Sequence, residues 1–392
     1  LITETLAHGL EEDLTYAVYH NILTNVDSKQ IHEILDLQGF IKLPVDNQGH
    51  DVYGVDMRKT VSLMLNVKSF LKEPFNKNER IMSVANETRK RLQKSLTTLY
   101  PGSLVLTFNN AMLHHKLTKK ICEANNVSNM PYDKRNLGEL MCVPFGNFLQ
   151  GKIVPNTVTK SLHTEKMFFP DLSGFKIGEY PNYPALIDQI KTIKSFDRSV
   201  ILVDDLLHKG YRIKAIEPLF RKENIIIQKT IVGILSGRGK EIMDVKGRDV
   251  DGAYFIPNLR LWFNENLMYP FLGGDTILRS SSEKLSLIQS VNLILPYVAP
   301  AFIKETDSTA IFDLSLVCLE NARDIMMAIE REYQKIYERT LTLGRLSEIT
   351  ISARYPDKGN ELKYNFNVKP SVYIKNDIDE LIRIKDIVKQ RI

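Results

Sequence analysis

The segment Val200-Ile-Leu-Val-Asp204-Asp205-Leu-Leu-His-Lys-Gly210-Tyr-Arg212 constrains the fold more than any other part of the chain. Its four consecutive apolar residues suit a strand covered on both faces, the environment of a central strand in a parallel sheet. Two carboxylates end the run, and a polar turn leads into residues 211–222, which read as a helix. Buried strand, turn and helix in immediate succession are half of a βαβ unit, so the chain is expected to contain an α/β layer.

Neighbouring segments extend that alternation. Residues 103–108 form a short apolar run after Pro101-Gly102, ending at Asn109-Asn110 where a helical stretch to Ala124 begins. Residues 225–235 and 250–256 are further strand candidates. Pro218 removes a backbone donor, so the helix that starts at Tyr211 is expected to stop near Glu217. Residues 125–196, rich in Gly, Pro, Asn and Lys, read as one long irregular connection, a length that is usually functional or disordered.

The flanks read differently. Leu6, Leu10, Leu14, Ala17 and Val18 recur at helical spacing, as do Ile81, Val84, Leu92 and Leu96. Residues 307–341 read as one long helix with a stripe through Leu314, Val317, Cys318, Ile325, Ile329 and Ile336, and the residues from Thr342 onward are a weaker mixture. A chain of 392 residues exceeds what one core usually serves. The expectation is an α/β parallel-sheet core over residues 101–279, with mainly helical additions at 1–100 and 280–392.

Composition narrows the function classes. Hydrophobic content of 43% with 25% charged residues is that of a folded chain rather than a disordered one. A formal charge of +5 over this length is no nucleic-acid signal. Cys122, Cys142 and Cys318 lack zinc-site or disulfide spacing, which fits a reducing, cytoplasmic compartment. The opening residues mix acids with apolar residues, unlike a signal peptide, and apolar runs such as 293–303 are broken by prolines, so neither secretion nor a membrane anchor is expected. His114-His115 have no carboxylate or cysteine at ligand spacing and suggest no metal site.

The chemistry concentrates behind residues 200–203. Carboxylates at the carboxyl edge of a parallel strand can accept hydrogen bonds from ribose hydroxyls or hold Mg²⁺. The helix start that follows favours an anion through its unpaired N–H groups, and Lys209 and Arg212 add positive charge. A sugar phosphate fits both ends of this layout.

These residues resemble the signature of type I phosphoribosyltransferases, in which a strand, an acidic pair and a Thr/Gly-rich turn bind phosphoribosyl pyrophosphate. Asp204, Asp205 and Gly210 match the pattern; Lys209, Tyr211 and Arg212 stand where the family has small residues wrapped around the 5′-phosphate. The resemblance covers roughly residues 100–275 and implies a pentosyltransferase of nucleotide metabolism that uses Mg²⁺. On it, Asp204 and Asp205 orient ribose hydroxyls and metal, while His208, Lys209, Gly210, Tyr211 and Arg212 hold the 5′-phosphate. Asn109 and Asn110 stand at the pyrophosphate turn, Lys160, His163 and Lys166 stand in the hood that closes over the reaction, and Trp262 stands where purine-salvage members hold the base.

Other readings of the same residues remain open. The pocket can belong to a non-catalytic module that senses a nucleotide or phosphoribosyl compound and signals through the helical flanks. It can also belong to a phosphatase or receiver-like domain using Asp204 or Asp205 as phosphoacceptor, although residues 209–212 suggest a phosphate held beyond the acids. Asn109-Asn110 can be an ordinary turn and helix cap, and Ser236-Gly-Arg-Gly239-Lys240 an anion contact or a chain reversal. The acceptor is undefined, and the flanks can serve a homodimer, a protein partner or the shielding of the site.

Overall fold

The structure is a computed structural model that describes residues 16–20, 28–45, 47–49, 52–130, 137–146, 149, 154–168, 175–180, 183–273, 288–289, 306, 308–351, 353, 355–356 and 364–389. The chain divides into two compact units, one formed by residues 109–259 and the other by residues 14–108 and most of those after 259. Leu6, Leu10 and Leu14 of the expected first helix, and the run 293–303, lie outside the described residues.

The chain opens in the second of these units with β1 (Tyr16–His20), α1 (Ser28–Leu37), β2 (Ile41–Leu43), β3 (Val52–Leu65), α2 (Glu79–Leu99) and β4 (Ser103–Asn109). Strands β1 and β2 pair antiparallel with β3, and β4 pairs with it too. Residues 1–100 thus hold the helices α1 and α2, as expected, together with the strands β1 to β3. Val55, Val61 and Leu63 are fully buried, and cross-strand pairing decides the conformation of Ala17 and Val18 over their helical spacing.

The other unit follows: α3 (Asn110–Ala124), β5 (Met141–Pro144), β6 (Val158–Thr159), β7 (Thr164–Phe168), β8 (Phe175–Glu179), α4 (Leu186–Lys194), β9 (Val200–Leu207), α5 (Tyr211–Lys222), β10 (Ile227–Ser236), α6 (Gly237–Val245) and β11 (Val250–Ile256). Residues 125–196, expected to be irregular, thus contain four short strands and a helix among the described residues. The main sheet runs β11-β10-β9-β5-β6, and its four neighbouring pairs are all parallel. Met141, Val143, Val200 and Leu202 point to one face and cluster with Ile190 and Ile193 of α4 and Ile216 and Phe220 of α5. Helix α3 packs against β10 and β11. Both β7 and β8 form an antiparallel hairpin.

Pro218 does not end α5, which continues to Lys222. Lys214 and Pro218 both lie on its exposed side, so the carbonyl that loses its donor can be met by water. Glu217 beside it accepts from Lys246 Nζ (2.8 Å) and Arg248 Nε (2.9 Å), tying α5 to the end of α6.

After residue 259 the chain returns to the unit of residues 14–108 with β12 (Leu259–Asn264), α7 (Ser308–Tyr337) and α8 (Pro370–Lys389). Helix α7 packs against α2 and α8. Of its predicted stripe, Leu314, Cys318, Ile325 and Ile329 join Leu92, Leu96 and Ile374 in one core, while Ile336 is exposed. The fully buried Glu265 accepts from Arg89 Nε (2.8 Å) and from the N–H groups of Asn66 (3.0 Å) and Val67 (3.2 Å). Those donors make its burial tolerable. The unit boundaries fall at 108 and 259, because β4 and β12 are strands of the β3 sheet.

Candidate functional site

From β5 the chain steps outward to β6, while from β9 it steps the other way to β10 and then β11. The order therefore reverses between β5 and β9, and in open α/β sheets ligands lodge outside the carboxyl ends of the two strands at such a point. The residues there are Phe145 and Gly146 after β5, and the last half of β9 with the turn behind it.

Strand β9 runs past the acids to Leu207, so Asp204 and Asp205 lie within it. Asp204 is 4% exposed and Asp205 is half-buried. Asp204 Oδ1 accepts from the Asp205 N–H (2.9 Å) and from Arg212 Nη1, whose guanidinium also stands 3.8 Å from Asp205 Oδ1. Burial pushes the Asp204 carboxyl up, against the pull of Arg212. The guanidinium is stacked above the Phe145 ring, 5.2 Å from its centre, which links β5 to the acidic pair.

Gly210 takes the left-handed conformation (φ +64°) that turns the chain into α5, and the helix has no side-chain cap. The N–H groups of its first turn are therefore presented to an anion. Lys209 is half-buried, and among the described residues nothing pairs with its ammonium. Tyr211 is exposed, with its ring edge against Phe175 at 5.0 Å.

His208 is buried. Its Nδ1 meets the Ser236 hydroxyl at 2.9 Å, and the same oxygen caps α6 by accepting from the Gly239 N–H (2.9 Å). Burial, with Lys209 and Arg238 nearby, pushes the imidazole down to about 4, so it is neutral at pH 7 and adds no charge for a phosphate. The Ser236-Gly-Arg-Gly239 turn is thus a helix start packed under the acidic strand: a Cβ on Gly239 would stand 2.3 Å from the Leu207 carbonyl oxygen.

Of the three residues expected in a hood, one, on the β7–β8 hairpin, stands near Arg212 and Lys209. Lys166 Nζ lies 4.1 Å from the centre of the Phe175 ring, in the field of Lys209, Arg212 and Glu165. Burial, then the two cations, push it down to about 8. His163 instead stacks on Tyr183 (3.9 Å), and its backbone is held by Gln189, while Lys160 is exposed.

Asn109 caps α3 by accepting from the Ala111 N–H (2.8 Å), and Asn110 is the first residue of that helix. They follow β4, which is not a strand of the parallel sheet; the strand beside β9 is β5, and its end at Phe145-Gly146 went unread in the sequence. The signal available was the apolar Met141-Cys-Val143 run before Pro144, too short to separate from a loop by periodicity. Trp262 lies on β12 in the β3 sheet and is not part of the unit that holds the acidic pair.

The Mg²⁺ that the resemblance implies does not fit this donor set, because Asp204 is already engaged by a guanidinium that also faces Asp205. Among the described residues no group of three or more His, Cys, Asp or Glu side chains is placed to hold a metal. None of the helices searched among those residues is long and apolar enough to cross a membrane.

No family model matches the chain, and no curated protein matches it in sequence. Among solved structures it is similar to an adenine phosphoribosyltransferase from Thermoanaerobacter pseudethanolicus, with 11% identity and a TM-score of 0.22 over 38% of this chain and 80% of that one. It is also similar to the AQ2163 protein from Aquifex aeolicus, with 14% identity and a TM-score of 0.25 over 50% of this chain and 86% of that one.

Proposed function

We propose that the chain binds a phosphorylated ribose compound, phosphoribosyl pyrophosphate first among them, and transfers its ribosyl phosphate to an acceptor with release of pyrophosphate. The observation that carries this reading is the placement of the Asp204-Asp205 pair on the strand that turns into the uncapped start of α5, with Arg212 paired to it and Lys166 and Lys209 in the field of that guanidinium. In this reading the acids take ribose hydroxyls and the α5 N-terminus takes the 5′-phosphate. Lys166, on the hairpin, faces the leaving pyrophosphate. Electrostatic positioning supplies the rate, because the bond from the anomeric carbon to pyrophosphate breaks as positive charge builds on the sugar.

A second reading, a binding module without catalysis, is favoured by the Arg212–Asp204 ion pair, which already occupies one acid. Calorimetry with phosphoribosyl pyrophosphate, followed by an acceptor screen for pyrophosphate release, separates the two. The transferase reading predicts binding and release with at least one acceptor. The module reading predicts binding and no release. Both predict that the double variant Asp204→Asn with Asp205→Asn, shown to be folded, binds at least about tenfold more weakly. An intact protein that does not bind refutes the transferase reading and leaves the module reading only for a different nucleotide.

A further inference from the structure

We infer that Arg212 stands in for the divalent cation at this pocket, so that a phosphorylated pentose is bound without metal. The inference rests on the phosphoribosyl reading of the site. Its starting observation is that the acidic pair already holds a cation supplied from within the chain. Asp204 is almost fully buried and engaged by the Arg212 guanidinium, which spans toward Asp205 at 3.8 Å. The arginine is fixed at both ends: its backbone belongs to the first turn of α5, and its head packs over Phe145 at the end of β5.

A Mg²⁺ ion needs near-octahedral oxygens at about 2.0–2.1 Å and gives up water reluctantly. To reach Asp204 Oδ1 it would have to displace both the guanidinium and the Asp205 N–H. It would do so in the field of Lys166 and Lys209, which repel a dication. The same cations suit the ligand's phosphates. Arg212 presents several donors from a fixed plane, and a guanidinium binds phosphate as well as carboxylate. With Asp204 paired in place, a diphosphate entering between the hairpin and α5 meets Lys166, Lys209 and the helix N-terminus directly. Glu165, the third carboxylate in this field, limits the net positive charge and favours a ligand that also carries hydroxyls for the acids.

The test titrates the full chain with phosphoribosyl pyrophosphate by calorimetry, once in EDTA and once in excess Mg²⁺, and separately titrates the chain with Mn²⁺ alone by electron paramagnetic resonance. Affinities equal to within about twofold in EDTA and Mg²⁺, with no saturable Mn²⁺ uptake, are expected. Binding that is lost in EDTA, or Mn²⁺ uptake that disappears in Asp204→Asn, overturns the inference while leaving the phosphoribosyl reading intact. Absence of binding in both buffers overturns the two together. Arg212→Ala supplies the converse: it should bind the sugar phosphate at least about tenfold more weakly in EDTA and gain Mn²⁺ uptake. Because the wild-type comparison needs no variant, a misfolded Arg212→Ala leaves the decision unaffected.

Discussion

At the scale of single residues, charge and backbone conformation do different work in the same turn. Lys166 is pushed down to about 8, so its ammonium is present below that pH and lost as pH rises through it. Affinity for an anionic ligand should therefore fall between pH 7 and about 9, and Lys166→Arg should flatten the profile because arginine stays charged. A wild-type profile without a step near pH 8 would remove Lys166 from the site. Gly210 needs its left-handed φ rather than its lack of bulk, since an added Cβ would meet Ile242 at an ordinary 3.5 Å. Gly210→Ala should cost about 1–2 kcal/mol in a urea melt. Asp204, Asp205, Gly210 and Arg212 were legible as a cluster because they lie in one short stretch of sequence. Lys166 was legible as a candidate, but its closeness to Arg212 depends on how the hairpin folds back onto α5, which nothing local to residues 156–166 specifies.

Elements decide which residues share a site. The strands that begin at 200, 227 and 250 and the start of the helix at 211 could be read because each combines an apolar run with a punctuating turn, whereas the run of β9 past the acids and of α5 past Pro218 could not. Strand β5 could not, although it completes the crevice, because its four residues sit between polar stretches and owe their conformation to pairing with β9. The same ambiguity assigned β4 to the wrong sheet. A strand's partner is a non-local property, and Ser103–Asn109 reads equally well beside β3 or β9. Ser236 joins two elements at once, capping α6 and meeting the His208 ring. Ser236→Ala should lose about 1 kcal/mol of cap stability. It should also weaken ligand binding through the 208–212 turn, whereas unchanged affinity would confine Ser236 to capping.

At the scale of the whole molecule, each unit has its own buried core, one around Leu202, Ile216 and Phe220 and the other around Leu92, Ile325 and Ile374. The helical stripe in residues 308–337 was legible as a packing surface, whereas the strands of the same unit were hidden behind locally helical spacing. Separate cores predict separable unfolding. Phe220→Ala, costing about 3–5 kcal/mol, should lower one calorimetric transition and leave the other in place; a shift of both would show one cooperative unit. The central claim is that a phosphorylated ribose sits at the carboxyl ends of β5 and β9. Hydrogen–deuterium exchange with and without phosphoribosyl pyrophosphate tests it most directly. Protection confined to peptides covering residues 141–146, 164–168 and 204–214 is the predicted result, and saturating ligand that protects none of them would contradict the account.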